Sequence, residues 1–180
     1  MVTLPAGANC AINSASPTFI IASEDRNAWD RSGLALIPVD EKRKPTGKPS
    51  TLFDESPWNN WFNSSDDAGC RLRLNMLPAG TTRLLAVRYV YGAASPISYH
   101  RNVTLTVDDS ARMVLPASEM GDASAIIAEF YLRESQWKIR ALIEGSAYGL
   151  AAFGLRIGLN IEDRHPSRAN PSENDRTDNG

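Results

Sequence analysis

Oxygen-bearing side chains cluster in the segment WNNWFNSSDDAGC, which spans residues 58–70. Asp66 and Asp67 are consecutive, and Asn60 and its neighbours add amide and hydroxyl oxygens. Ca²⁺ prefers about six to eight oxygen ligands, so this loop has the chemistry of a hard-cation site. The same composition is also typical of a solvated turn. The residues alone leave both interpretations open.

Motifs for catalysis are absent from the sequence. Its two histidines are His100, in SYHRN at the start of a strand-like segment, and His165, near the C-terminus. There is no G-x-S-x-G elbow, phosphate loop, dinucleotide fingerprint, H-E-x-x-H motif or zinc-type cysteine spacing. We therefore predict that the protein is not an enzyme.

Two glutamates in the C-terminal third have a simpler explanation than catalysis. Glu129 and Glu144 fall on the polar faces of two adjacent strand-like runs, and Lys138 and Arg140 share those faces. Opposite charges on paired strands attract one another across the ladder. The sequence predicts that these four residues are cross-strand charge partners.

Composition and charge narrow the class of protein. The chain has 180 residues, 42% of them hydrophobic and 22% charged, which fits one globular domain. Its 19 basic and 21 acidic residues give a net charge of -2, too balanced for a nucleic-acid partner. No apolar run reaches the length of a membrane span, and MVTLPAGANC lacks the features of a signal peptide. We predict a cytoplasmic location.

The two cysteines, Cys10 and Cys70, do not have a metal-type spacing, and both lie beside strand-like segments. Buried free thiols are the favoured interpretation, and a disulfide is the alternative.

The segment 124–161 has the most regular pattern of the chain. AIIAEFYLR alternates with Ile126, Ala128, Phe130 and Leu132 on one face, and WKIRALIEG alternates in the same way. Side chains on a strand point to opposite faces with a period of two, so each run predicts a half-buried strand. Glu134-Ser135-Gln136 separates the runs and has the length of a hairpin turn.

The remaining elements of this segment and of the chain complete the prediction. Leu150, Phe153 and Ile157 recur at helical spacing before Gly158, which indicates a short helix.

Upstream, short apolar or alternating runs are separated by turn residues, and Pro38 would end one of them. These runs cover residues 8–12, 18–22, 34–37, 52–53, 71–75, 83–91, 102–107 and 112–115. About nine or ten short strands predict a mainly β protein, a β-sandwich of two antiparallel sheets with one helix.

The last residues differ in composition from the rest of the chain. Residues 162–180, EDRHPSRANPSENDRTDNG, contain no aliphatic residue larger than alanine. Such a segment cannot bury enough apolar surface to offset the entropy of ordering it. We predict one domain over residues 1–161 and a disordered polar tail over 162–180.

The order of residues in the C-terminal third resembles the signature of the TerD-type tellurium-resistance and stress-protein family. In that family an acidic-aromatic strand and a turn precede Trp-Lys-aromatic-Arg-Ala, a Gly-rich segment and a Leu-Ala-Ala helix. The matching residues here are Glu129, Tyr131, Trp137, Lys138, Arg140, Ala141, Gly145, Gly149, Leu150, Ala151 and Ala152. Glu134-Ser135-Gln136 stands where the family usually has Asn-Gly. The resemblance implies a β-sandwich and a non-enzymatic role in stress response.

The resemblance also implies Ca²⁺ bound by acidic loops at one end of the sandwich. The positions of this chain that correspond to such loops are Asp25, Asp30, Asn60, Asp66 and Asp67. Ala28 replaces one of the paired aspartates of the family, and Arg31 stands between Asp30 and Ser32. A lost carboxylate lowers both the charge and the ligand count of a calcium site.

Two functions follow from the resemblance. The first is a calcium-binding stress-response domain of the tellurium-resistance type, with other stress-response proteins as partners. The second is a metal-free relative that acts as a scaffold through protein contacts, through Trp58 and Trp61 or through the tail. Exposed indoles at this spacing would form a contact patch, whereas buried ones would cover the edge of the core.

Overall fold

The structure is a computed structural model, and it describes residues 1–23, 32–52, 59–65, 69–90, 103–115, 124–146 and 150–159. Within these ranges the protein is mainly β, with two six-stranded sheets and one short helix. The strands are β1 (Val2–Thr3), β2 (Asn9–Ala11), β3 (Thr18–Ser23), β4 (Ser32–Val39), β5 (Ser50–Thr51), β6 (Phe62–Ser65), β7 (Gly69–Leu72), β8 (Arg83–Val90), β9 (Val103–Val107), β10 (Ala111–Leu115), β11 (Ser124–Arg133) and β12 (Gln136–Ser146). The helix is α1 (Leu150–Ile157), and a single 3₁₀ turn covers Leu74–Met76.

The chain crosses between the two sheets several times, and some consecutive strands belong to the same sheet. Sheet A has the order β1-β10-β9-β3-β7-β6, and sheet B has the order β2-β12-β11-β8-β4-β5. Every described pair of neighbouring strands is antiparallel except β1 and β10, which are parallel. The predicted sandwich is therefore confirmed, with two corrections: there are twelve described strands instead of nine or ten, and one pair is parallel.

The inner faces of the two sheets form the main hydrophobic core. Sheet A contributes residues such as Phe19 and Leu105, and sheet B contributes residues such as Leu84 and Phe130, all fully buried. The rings of Phe19 and Phe130 meet edge to face across the sheets, with centroids 5.5 Å apart. Side chains from both sheets thus interdigitate as in other face-to-face sandwiches.

The outer face of sheet B carries a second hydrophobic cluster. Ala35, Ile37, Leu85 and Val87 line this face, and they are fully buried. Helix α1 covers them, and the helix side chains that pack against the cluster are Phe153 and Ile157. Strand β8 consequently has apolar residues on both of its faces, which is typical of a central strand.

An irregularity in β11 changes the predicted side-chain alternation. The register of β11 with both β8 and β12 shifts between Ile126 and Ala128. As a result Ile127 and Ala128 both join the inner core, and Ile126 lies in the outer cluster under α1. The sequence prediction that put Ile126 on the same face as Ala128 and Phe130 is wrong, because a bulge lets two successive residues face one side.

Three other local predictions need correction. Pro38 does not end a strand but lies inside β4, where it is opposite Leu84 of β8. The segment 71–75 is a strand only as far as Leu72, and Leu74–Met76 forms the 3₁₀ turn. The strand predicted at 52–53 is the two-residue β5, which lies two residues earlier in the chain.

The hairpin between β11 and β12 is tighter than the three-residue turn that the sequence predicted. Arg133 pairs directly with Gln136, so the turn contains only Glu134 and Ser135. Both have a positive φ, 52° and 61°, as in a type I′ turn. Gly158, with a φ of 93°, follows the last residue of α1, in agreement with its predicted role at the end of the helix.

Both cysteines are free thiols, as predicted. Cys70 is buried in the inner core, and burial raises the pKa of its thiol to about 12. Cys10 is only half-buried, and burial raises its pKa as well. Of the helices in the described ranges, none has the length and apolar character needed to cross a membrane.

Candidate functional site

The strand ends that flank the acidic loops come together. In sheet A, Ser23 at the end of β3 pairs with Val103, and Ile20 pairs with Gly69, so the β6–β7 turn lies at the same end as Ser23. Ser65 and Gly69, which flank Asp66 and Asp67 in the chain, are themselves paired. We name this end of the sandwich the loop end.

Sheet B contributes to the same end. Ser32 at the start of β4 pairs with Val90 at the end of β8, and Ser124 at the start of β11 pairs with Tyr89. The connections 24–31, 91–102 and 116–123 all join these strand ends of sheet B to the loop end of sheet A. Antiparallel pairing thus brings together connections that are far apart in the sequence.

Four of the five predicted calcium ligands belong to these connections. Asp25 and Asp30 lie within 24–31, and Asp66 and Asp67 lie within 66–68, so all four are outside the described residues. Their flanking strand ends, Ser23, Ser32, Ser65 and Gly69, all lie at the loop end.

The structure does not bring the fifth residue, Asn60, to the loop end. Asn60 precedes β6, whose first residue Phe62 pairs with Leu72, at the opposite end from the Ser65–Gly69 pair. Three strand steps from Phe62 to Ser65 separate these ends by about 10 Å. The backbone carbonyl of Asn60 accepts a hydrogen bond from Arg73 Nη1 at 3.1 Å. Asn60 is therefore placed away from the strand ends that flank the other four predicted ligands.

The described residues do not include a ready metal cluster or an aromatic patch. Among them, no group of three or more His, Cys, Asp or Glu side chains is placed to hold a metal ion. Trp61 is 1% exposed and its ring packs against Phe62, with centroids 6.0 Å apart. Its indole therefore covers the core, and Trp58 is outside the described residues.

A charge network lies on the outer face of sheet B. The carboxylate of Glu129 in β11 is 1% exposed and contacts two arginines, Arg83 of β8 and Arg43 of the β4–β5 connection. Arg43 also forms a bidentate pair with Glu144 of β12, in which its Nη1 and Nη2 atoms donate to the two carboxylate oxygens at 2.7 and 3.1 Å. Two arginines and two glutamates thus balance one another across β8, β11 and β12.

These contacts correct the pairing that the sequence predicted. Glu129 is directly opposite Arg140 in the β11–β12 ladder, but its ion pairs are with Arg43 and Arg83. Arg140 instead places its guanidinium over the ring of Tyr131, 4.9 Å from the centroid. Neither Glu129 nor Glu144 forms an ion pair with Lys138 among the described residues.

The segment that presents Arg43 is a tightly bonded turn. Asp40 Oδ1 accepts hydrogen bonds from the backbone N–H groups of Lys42 and Lys44, at 2.8 and 2.9 Å. The backbone N–H of Asp40 also donates to the carbonyl of Lys44 at 2.8 Å. Arg43 has a φ of 59° within this turn. An aspartate that bonds successive backbone amides stabilises a turn of this kind.

Glu144 gives the network a measurable dependence on pH. The hydrogen bond from Arg43 lowers the pKa of Glu144 below its ordinary value, and partial burial offsets some of this effect. A carboxyl group whose pKa is lower in the folded state than in the unfolded state stabilises the fold at pH values above its unfolded pKa. This stabilisation is lost as the pH falls through the folded-state pKa. We expect Glu144→Gln to be less stable than the wild type at neutral pH, with a difference that vanishes on acidification. Urea unfolding from neutral to acidic pH measures this, and a constant difference would contradict it.

A groove of about 650 Å³ adjoins the network. One wall is the turn with Lys42, Arg43, Lys44 and Pro45, and the other is the last turn of α1, from Leu155 to Gly158. Neither the network nor the groove follows from the pattern of the sequence. The basic run EKRK, residues 41–44, was the available signal for both. Its arginine, however, contacts Glu129 of β11 and Glu144 of β12, which are 86 and 101 residues away in the chain.

Comparisons with known proteins identify the fold. No protein-family model and no curated protein sequence matches this chain. The crystal structure of a homologue of the telluride resistance protein TerD from Streptomyces coelicolor A3(2) is similar, with a TM-score of 0.55 and 14% identity over 77% of this chain and 94% of that chain. SAV2460, a protein of unknown function, has a TM-score of 0.57 and 15% identity over 82% of this chain and 98% of its own. At such identities the similarity is one of fold, and this chain therefore has a TerD-like fold.

Proposed function

We propose that this TerD-like chain is a non-enzymatic stress-response domain whose acidic loops bind Ca²⁺ at the loop end of the sandwich. The observation that carries the proposal is the convergence of the strand ends that flank Asp25, Asp30, Asp66 and Asp67. These four aspartates would supply the carboxylate oxygens, and Asn60 would not take part. A bound cation would neutralise carboxylates that otherwise repel one another.

Thermal unfolding with and without calcium tests this function. A ligand that binds only the folded state at about 100 times its Kd adds about 2.7 kcal/mol to the free energy of unfolding. In a domain of this size that gain raises Tm by roughly 5–10 °C. We expect millimolar Ca²⁺ to raise Tm relative to EDTA, with matching heat in titration calorimetry. An unchanged Tm together with no heat would reject calcium binding.

The variants for this test are chosen by their place in the fold. Asp66→Ala and Asp67→Ala are expected to reduce the calcium-dependent rise in Tm. Asp109→Ala is the matched control, because it is an exposed aspartate in the β9–β10 turn, at the opposite end of sheet A. An equal loss of the calcium effect in the control would show that the loop end is not the site.

The second candidate is a metal-free scaffold that acts through protein contacts. The position of Asn60 and the loss of a carboxylate at Ala28 favour it, because both reduce the ligands left for calcium. Arg31 favours it as well, because a positive charge beside Asp30 opposes cation binding. The burial of Trp61 means that a contact surface has to be sought away from this indole. If calcium is rejected and purified stress-response proteins bind to this chain, the scaffold role replaces the first candidate.

A further inference from the structure

The groove between the β4–β5 connection and α1 has a basic rim. Lys42 and Lys44 are exposed on one wall, and Arg156 lies in the last turn of α1 on the other. No acidic residue lines the groove among the described residues, although the whole chain is slightly acidic. The rim is therefore a local concentration of positive charge on an otherwise negative protein.

The charges of Lys42 and Lys44 are not cancelled by the network beneath them. Arg43 turns toward Glu129 and Glu144, so its charge is balanced inside the protein. The neighbouring Lys42 and Lys44 make no ion pair within the described residues, and their side chains point to solvent. The carboxylate of Asp40 accepts backbone hydrogen bonds from the same turn, which fixes the turn. The two lysines are thus held by a fixed turn and remain available to an external anion.

The groove also has apolar walls. Leu155 is 67% exposed, the largest exposure among the hydrophobic side chains of α1 that the structure describes. Pro45 faces it from the opposite wall, and Ile157 lines the groove next to it. An aliphatic side chain of a partner that packs on this leucine removes apolar surface of both molecules from water, which favours binding.

From this combination we infer that the groove binds an acidic peptide segment of a partner protein in which carboxylates flank an aliphatic residue. The carboxylates pair with Lys42 and Lys44, and the aliphatic side chain packs on Leu155 and Pro45. Charge complementarity selects the acidic partner, and the apolar walls select a peptide over a purely ionic ligand. This inference does not depend on calcium, since the groove contains none of the predicted calcium ligands.

Fluorescence anisotropy with a labelled peptide tests the inference on the full chain in EDTA. The probe is fluorescein-Gly-Glu-Leu-Glu-Leu-Glu-Gly, and the comparison peptides replace Glu by Gln or Leu by Ser. Lys42→Glu with Lys44→Glu is expected to weaken binding about tenfold or more, and Leu155→Ser about fivefold. All three residues are exposed, and Lys42→Gln with Lys44→Gln gives a milder variant if the charge reversal impairs folding.

The matched control reverses the same number of charges elsewhere. Arg71→Glu with Arg112→Glu alters two exposed arginines of sheet A, and it is expected to change the affinity less than twofold. The inference is overturned if this control weakens binding as much as the groove variant does. It is also overturned if the probe does not bind, or if the Leu-to-Ser peptide binds equally well.

A segment of this same chain is the alternative occupant of the groove, in place of a partner's peptide. Ile161, Glu162 and Asp163 follow the groove by only a few residues, and they combine an aliphatic side chain with two carboxylates. If Glu162→Gln with Asp163→Asn increases the affinity for the probe, the occupant is this segment and the assignment to a partner is wrong. An unchanged affinity supports the partner.

Discussion

A chain in which Arg43 and Arg83 are both replaced by methionine is expected to lose about 3–5 kcal/mol of its free energy of unfolding. These arginines are the ion-pair partners of Glu129 among the described residues, and the carboxylate of Glu129 is 1% exposed. Methionine keeps most of the aliphatic volume that shields this carboxylate from water. The variant therefore leaves a buried charge without a counter-charge. Urea denaturation at neutral pH measures the loss.

A third substitution separates the charge effect from simple damage to packing. Adding Glu129→Leu removes the stranded carboxylate, so the triple variant is expected to recover most of the lost stability, because a packed apolar group often replaces a buried ion pair without loss. Arg133→Met is the control, since its pair with Glu134 is exposed on both sides and should contribute less than about 1 kcal/mol. A triple variant as unstable as the double variant would show that the network acts through packing.

The second large effect is expected for Phe130→Ala, with a loss of about 3–5 kcal/mol. Phe130 is fully buried on β11, between Leu84 of β8 and Ile139 of β12, and it meets Phe19 of the opposite sheet edge to face. Strands on both sides hold the backbone at this position, so the cavity cannot collapse freely. Chemical denaturation of the purified variant measures the loss.

A double-mutant cycle with Phe19→Ala tests whether the ring contact itself contributes. We expect a coupling energy of about 0.5–1.5 kcal/mol between the two substitutions. Leu155→Ala, at an exposed position of α1, is the control and should change stability by about 0.5 kcal/mol or less. Strictly additive effects would show that the two rings stabilise the core independently.

The sequence predicts most of the strands because their pattern is local. The runs at 83–91, 102–107 and 112–115 are predicted from such local patterns, and the structure has strands there, at 83–90, 103–107 and 111–115. The sequence does not reveal the register shift between Ile126 and Ala128, because a bulge depends on how three strands align. Very short strands such as Val2–Thr3 also carry too few residues to show a period.

The charge network shows why sites are harder to predict than strands. Periodicity correctly places Glu129 on the polar face of β11, but the partner of a side chain depends on which segments lie nearby in space. Arg43 reaches Glu129 and Glu144 because an aspartate-bonded turn with a positive φ directs it there. A basic, proline-containing run is equally typical of a solvated loop, so neither composition nor spacing distinguishes the two.

The order of the strands has a consequence for behaviour at high concentration. Among the described strands, those at the edges of the two sheets are short: β1 and β6 in sheet A, and β2 and β5 in sheet B, with two to four residues each. The long, apolar strands β8 and β11 are enclosed between neighbours. Unpaired edges are where other chains add strands and begin to aggregate. Short edges offer few backbone groups for such growth, so this architecture favours a protein that resists polymerisation through its sheets.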